Sequence, residues 1–269
     1  MKIFKSFNIL NKEINFKENI GFVPTMGSLH KGHLSIIKIA KKNSSKVLVS
    51  IFVNPSQFND KKDFAKYPRN FNNDIYILKK LKINYLFLPS EQEIYKIGIR
   101  KKLNILKKDK VLCAKYRKGH FEGVLAVVAR FMENIHSKYL YLGEKDFQQV
   151  YLIKKYLQHR FKTKIISCKT IRNKNKLPLS SRNKLLSKNL LKKSEKISKL
   201  LFNFSNKISN NFKYIKLLNF YKSKIDKLCD KIEYFEIRNF TNLSKKISKK
   251  NFKIFIAYKI SNVRLIDNV

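Results

Sequence analysis

Short apolar runs recur along the chain and read as β-strands over residues 21–23, 47–53, 84–88, 139–142 and 165–171. Several are apolar at every position rather than at alternate ones. That pattern suits strands of a parallel sheet covered on both faces. Between the runs the apolar positions fall at helical spacing: Leu34, Ile37 and Ala40; then Ile75, Leu78 and Leu81; then Val124, Val127, Val128 and Phe131. Val150, Ile153, Lys154 and Leu157 follow the same period less cleanly. Strand and helix in alternation predict an α/β fold, a Rossmann-like doubly wound parallel sheet. After about Ser181 the texture changes. Residues 184–230 are rich in Lys, Ser and Asn with apolar positions at helical spacing, and predict helices. Three β-like runs close the chain, at 233–237, 252–258 and 263–266. The expectation is a first domain over 1–175 and a smaller C-terminal α+β lid domain over 176–269, joined near residues 173–180.

Composition changes this picture at three points. The chain has 269 residues, 43% of them hydrophobic and 13% aromatic, enough for a sizeable core and too many for a disordered chain. Lys and Arg number 60 against 18 Asp and Glu, a net charge of +42. That charge invites a nucleic-acid reading, but the lysines are spread along the whole chain together with Asn, Ile and Phe. Compositional drift explains such a spread better than one binding face does. Cys113, Cys168 and Cys229 are too widely spaced for a disulfide framework or a zinc site, so three free thiols and no metal site are expected. No apolar run approaches the roughly 20 residues of a membrane span. Residues 1–10 lack the apolar core of a signal peptide, and a cytoplasmic location follows as the expectation.

Candidate chemistry concentrates where the first central strand ends. Val23-Pro24-Thr25-Met26-Gly27-Ser28-Leu29-His30-Lys31-Gly32-His33 runs from strand through loop into the helix that starts before Leu34. A helix N-terminus presents N–H groups and partial positive charge, which suits phosphate. His30 and His33, three apart, share a helix face and can donate to phosphate oxygens. Taken alone, His-x-Gly-His also fits two surface histidines.

Further motifs follow in order: Asn54-Pro55-Ser56-Gln57-Phe58, Tyr67-Pro68-Arg69, Gly119-His120-Phe121-Glu122-Gly123-Val124, Gly143-Glu144-Lys145-Asp146-Phe147-Gln148-Gln149, Leu179-Ser180-Ser181-Arg182-Asn183, and Arg264-Leu265-Ile266-Asp267-Asn268. With Pro24 to His33, this series resembles the pantothenate synthetases, or pantoate–β-alanine ligases, of the His-x-Gly-His nucleotidyltransferase superfamily. The resemblance covers nearly the whole chain. It implies an ATP-dependent ligase that condenses (R)-pantoate with β-alanine through a pantoyl adenylate, releasing AMP and pyrophosphate. It implies His33, His30 and Lys145 as catalytic. ATP would be bound by Met26, Gly27, Ser28, Leu29, His30, Lys31, Gly32 and His33, by Gly143, Glu144, Lys145 and Asp146, and by Ile171, Leu179, Ser180, Ser181 and Arg182. Gln57, Gln149 and Asn54 would hold the substrates. Mg2+ would arrive with ATP, and the enzyme would be a homodimer.

The chain departs from the family pattern in two places. A usual Glu-Gly is replaced by Cys113 and Ala114, and a usual Pro by Lys118; the missing carboxylate would loosen a contact that orients Arg117. A usual Asp-Gly is replaced by Asn175 and Lys176, with Pro178 two residues on, which would stiffen the loop. Two other readings stand beside the ligase. One is an adenylyl-transferring enzyme with a different acid as substrate. The other is a basic nucleic-acid-binding protein, which would explain the charge but none of the motifs.

Overall fold

The computed structural model describes residues 1–59, 61–95, 103–210 and 214–269. Its first elements are β1 (Lys2–Phe4), α1 (Phe7–Glu13), β2 (Ile20–Thr25), α2 (Lys31–Asn43), β3 (Lys46–Ile51), α3 (Lys61–Lys66), α4 (Phe71–Lys80), β4 (Tyr85–Phe87) and α5 (Glu91–Tyr95). Then come α6 (Cys113–Tyr116), α7 (His120–Asn134), β5 (Tyr139–Gly143), α8 (Phe147–Leu157) and β6 (Lys164–Cys168). The chain ends with α9 (Lys188–Asn210), α10 (Tyr214–Asp226), β7 (Lys231–Asn239), β8 (Phe252–Ile260) and β9 (Val263–Asn268). Packing divides it into two compact units. The first is Met1–Leu106 with Arg117–Lys169; the second is Lys107–Tyr116 with Thr170–Val269. A single cut after residue 175 does not describe this division, because the short stretch around α6 belongs with the C-terminal unit.

The first unit holds a six-stranded sheet of order β1-β4-β3-β2-β5-β6, parallel throughout. Its central strands are the continuous apolar runs of the sequence, and Leu48, Val49, Leu86 and Leu140 are fully buried. Each such side chain contributes about 1.5–3 kcal/mol of transfer free energy. The α2 residues Ile37 and Ala40 meet Val47, Val49 and Leu86 in one core cluster. Several short elements escape a periodicity reading, β1, α1, α3, α5 and α6 among them. Strand β1 is a three-residue edge with one buried side chain. Helix α1 is seven residues long and depends on Ser6, whose side chain caps Ile9 N–H. Strand β6 stops at Cys168, short of the expected 171, because its one partner strand, β5, ends level with it at Gly143.

In the second unit β7, β8 and β9 form an antiparallel sheet in that order. The apolar stripe of α9 (Ile197, Leu201, Phe204, Ile208) and Tyr221 and Ile225 of α10 pack on Phe235, Ile237, Ile254 and Ile256. The period of that stripe is helical, as the sequence suggested for 184–230; of that stretch, residues 211–213 lie outside the described residues. Arg172 grips Asp267 with both guanidinium nitrogens, at 2.9 and 2.7 Å.

Candidate active site

Strand order decides where a ligand belongs. From β2 the chain winds to β3 and β4 on one side, then returns to β5 and β6 on the other. The carboxyl ends of β2 and β5 therefore flank a topological switch point, the place where open α/β sheets bind ligands. Thr25 and Ile51 end their strands level with each other, so the loops after β2 and β3 leave the sheet side by side.

The loop after β2 is held from three directions. Thr25 Oγ1 donates to the Ser50 carbonyl at 2.8 Å and accepts from Gly27 N–H at 3.1 Å. Asp74, fully buried at the start of α4, accepts from Ser28 N–H at 2.7 Å and Leu29 N–H at 2.8 Å, one oxygen each. Gly27 takes a φ of +77°, and a Cβ there would stand 3.0 Å from the Asp74 carboxylate. Only glycine turns this corner without strain. Asp74 is the main residue shaping this loop that sequence reasoning missed. Its available signal was an acidic residue in a strongly basic chain, a few positions after Tyr67-Pro68-Arg69.

His30 then caps α2, its Nδ1 accepting from Gly32 N–H at 3.1 Å. That bond puts the ring proton on Nε2 in the neutral imidazole. The His33 ring lies 4.1 Å from the His30 ring, centroid to centroid. The two histidines thus sit together at a helix N-terminus, with Lys31 exposed beside them.

After β3, Asn54 caps a 3-10 turn over Pro55–Gln57. Its side chain is fully engaged there. Oδ1 accepts from Ser56 N–H, from Ser56 Oγ and from Tyr95 Oη, while Nδ2 donates to the Gly123 carbonyl at 3.2 Å and to Gln57 Oε1. Asn54 therefore shapes the turn that carries Gln57. Gln57 is 9% exposed, and its amide reaches Met26 Sδ in the β2 loop. From just before α7 and from its first residue, Arg117 Nη2 and His120 Nδ1 both donate to the Gln57 carbonyl, at 2.9 and 2.6 Å.

After β5 a 3-10 turn spans Glu144–Asp146. Gly143 brings it against Ile36 of α2, Lys145 Nζ lies 3.4 Å from Asp146 Oδ1, and Gln149 is half-buried in the first turn of α8. The remaining expected residues lie in the second unit. The Ile171 carbonyl is taken by Leu179 N–H. Ser180 caps a 3-10 turn, Ser181–Leu185, by accepting from Arg182 N–H at 3.3 Å, and Ser181 is buried.

The two departures from the family pattern also resolve. Cys113 does not leave Arg117 loose. It lies in the second unit, 3.0 Å from Tyr234 Oη and 3.3 Å from Arg264 Nη2, while Arg117 is engaged in the first by Gln57 and His120. Burial holds the Tyr234 phenol well above its ordinary range. Lys176 takes a φ of +70°, in the left-handed region where glycine is at ease. Arg172 Nη1 donates to its carbonyl at 2.7 Å, and Glu195 grips Asn173 and Asn175 at 2.7 and 2.8 Å.

With this geometry in hand, a family model described as pantoate-beta-alanine ligase matches residues 2–269. The pantothenate synthetase of Francisella tularensis subsp. mediasiatica is 42% identical over 269 residues, 98% of this chain and 94% of that protein. Among solved structures, pantothenate synthetase from Thermus thermophilus superposes with a TM-score of 0.92 at 28% identity, covering 100% of this chain and 99% of its own. The Francisella tularensis pantoate-beta-alanine ligase, solved with beta-gamma ATP and beta-alanine, gives 0.86 at 39% identity, with 100% and 97% covered.

Proposed function

This chain belongs to the pantoate-beta-alanine ligase family, and we propose how its own residues divide the work of that ligation. It joins pantoate to β-alanine with cleavage of ATP. A pantoate carboxylate oxygen bonds to the α-phosphorus of Mg·ATP, and the bond from that phosphorus to the bridging oxygen breaks, releasing pyrophosphate. The β-alanine amine then bonds to the acyl carbon, the acyl–phosphate C–O bond breaks, and AMP leaves with that electron pair. The amine gives up its proton. Neither step needs a covalent enzyme intermediate, so positioning and charge stabilisation carry the rate.

One observation carries this reading: two histidines packed together at a helix N-terminus beside the sheet's switch point, with His30 fixed as an Nε2–H tautomer. His30 and His33 donate to phosphate oxygens and to charge growing at phosphorus, His33 being the proton donor. The loop from Met26 to Gly32 lies along the nucleotide. Gly143 to Asp146 continues that contact, and Lys145 neutralises a phosphate as a point charge. Of the second unit's residues, Ser180, Ser181 and Arg182 are assigned to phosphate as hydroxyl and guanidinium donors, and Leu179 and the Ile171 backbone to adenine. Gln57 and Gln149 bind pantoate, with Asn54 acting through the turn it caps. Magnesium comes as part of the nucleotide substrate. A cytoplasmic homodimer completes the proposal.

The test is pyrophosphate release from Mg·ATP with D-pantoate, with and without β-alanine. Steady turnover that needs both substrates, with AMP and pantothenate formed in equal amounts, is the expected result. No release with pantoate from folded protein, or equal release with unrelated carboxylic acids, would sink the substrate assignment.

A further inference from the structure

The segment Gly119-His120-Phe121-Glu122-Gly123 has no part in the chemistry above, yet it is built around Gln57. Gly123 lacks a side chain where a Cβ would stand 2.5 Å from the Ser56 carbonyl and 2.7 Å from Ser56 Oγ. That closeness lets the first turn of α7 lie directly on the 3-10 turn Pro55–Gln57. The Gly123 carbonyl accepts from Asn54, which caps the same turn. His120 Nδ1 and Arg117 Nη2 converge on one atom, the Gln57 carbonyl oxygen. Arg117 Nη1 lies 3.0 Å from His120 Nε2. A guanidinium can only donate, so Nε2 accepts, and Nδ1 carries the proton that goes to Gln57. The arginine thereby sets the tautomer that the bond to Gln57 requires.

We infer that His120 and Arg117 are positioning residues for pantoate recognition, fixing the Gln57 backbone so that its amide side chain keeps one orientation. The inference rests on the reading of Gln57 as a pantoate ligand. A carbonyl held by two donors, one of them charged, resists rotation of its peptide plane, and the side chain of the same residue inherits that constraint. The effect belongs in pantoate binding. ATP binding and the chemical step draw on the β2 loop, whereas His120 closes on the turn after β3.

The experiment compares full-length wild type with His120→Ala, His120→Asn, His120→Gln and Gln57→Ala, titrating pantoate and ATP separately in the pyrophosphate assay. An Asn amide stands close to where Nδ1 stands and can donate to the same carbonyl. A Gln amide reaches the Nε2 position and cannot. His120→Ala is expected to raise the pantoate KM by about tenfold or more, the scale of a lost charge-assisted hydrogen-bond set, with kcat and the ATP KM within about threefold of wild type. His120→Asn should return the pantoate KM to within about threefold of wild type, and His120→Gln should not. Should the alanine variant fail to fold, the Asn and Gln pair alone decides the matter. Asn as impaired as Gln, or a normal pantoate KM in His120→Ala beside an impaired Gln57→Ala, overturns the brace alone. A normal pantoate KM in Gln57→Ala overturns the assignment of Gln57, and the brace with it.

Discussion

His33 sits in the first turn of α2 with its ring 4.1 Å from that of His30, the residue that caps the helix. Removing a preorganised donor from charge developing at phosphorus costs about 100-fold or more in rate. His33→Ala is therefore expected to cut pyrophosphate release by at least that factor while the melting temperature stays within a few degrees of wild type. Cys168 makes a different kind of test. It is 2% exposed, and burial, with the Glu144 charge second, pushes its thiol from 9.0 up to about 11. Between those values the folded protein keeps a proton that the unfolded chain has lost. The thiol's contribution is complete below pH 9.0 and disappears as pH rises through about 11. Cys168→Ala should accordingly show a shallower fall in melting temperature than wild type across that window. Residues of this kind were unequally legible. His30, His33, Gln57 and Lys145 stand in ordered motifs. Asp74 does not, because its role is to fill two N–H groups 46 and 45 residues away.

At the scale of elements, continuous apolar runs and 3.6-residue stripes located β2, β3, β4, β5, α2, α4, α7 and α8, because burial on both faces or on one stripe writes itself into local sequence. Strand β1 and helix α1 were missed because each is short and owes its existence to a neighbour or a cap. The contact of α7 with the 3-10 turn at Gln57 offers a sharp element-level test. A methyl at Gly123 meets backbone, the Ser56 carbonyl at 2.5 Å, so the helix must shift. Gly123→Ala should destabilise the fold by about 1–3 kcal/mol, as overpacking does, measured by urea unfolding. The turn between Arg172 and Pro178, which pair as an isolated antiparallel bridge, predicts the opposite sign. Lys176 holds φ at +70° where its side chain is strained, so Lys176→Gly should stabilise by up to about 1 kcal/mol in the same assay.

For the whole molecule, the charge of +42 dominates behaviour in solution. Like charges this dense repel in the compact state, and salt screens them. Raising NaCl from about 20 mM to about 500 mM should lift the melting temperature by several degrees. Any nucleic-acid binding should vanish over the same range without preference among sequences. Binding that survives the salt and selects a sequence would favour the nucleic-acid reading of the charge. The sequence by itself determined the fold class, the order of the motifs and the family, since each is carried by residues adjacent in the chain or by patterns repeated along it. It could not say that the stretch around α6 packs with the C-terminal unit, or that Cys113 faces Tyr234 and Arg264 rather than weakening Arg117. It could not show that Asn54 commits its amide to a turn, or that His120 closes on a carbonyl 63 residues away. Those were decided only by the tertiary structure, because a hydrogen bond between distant residues leaves no period and no spacing in the chain that makes it.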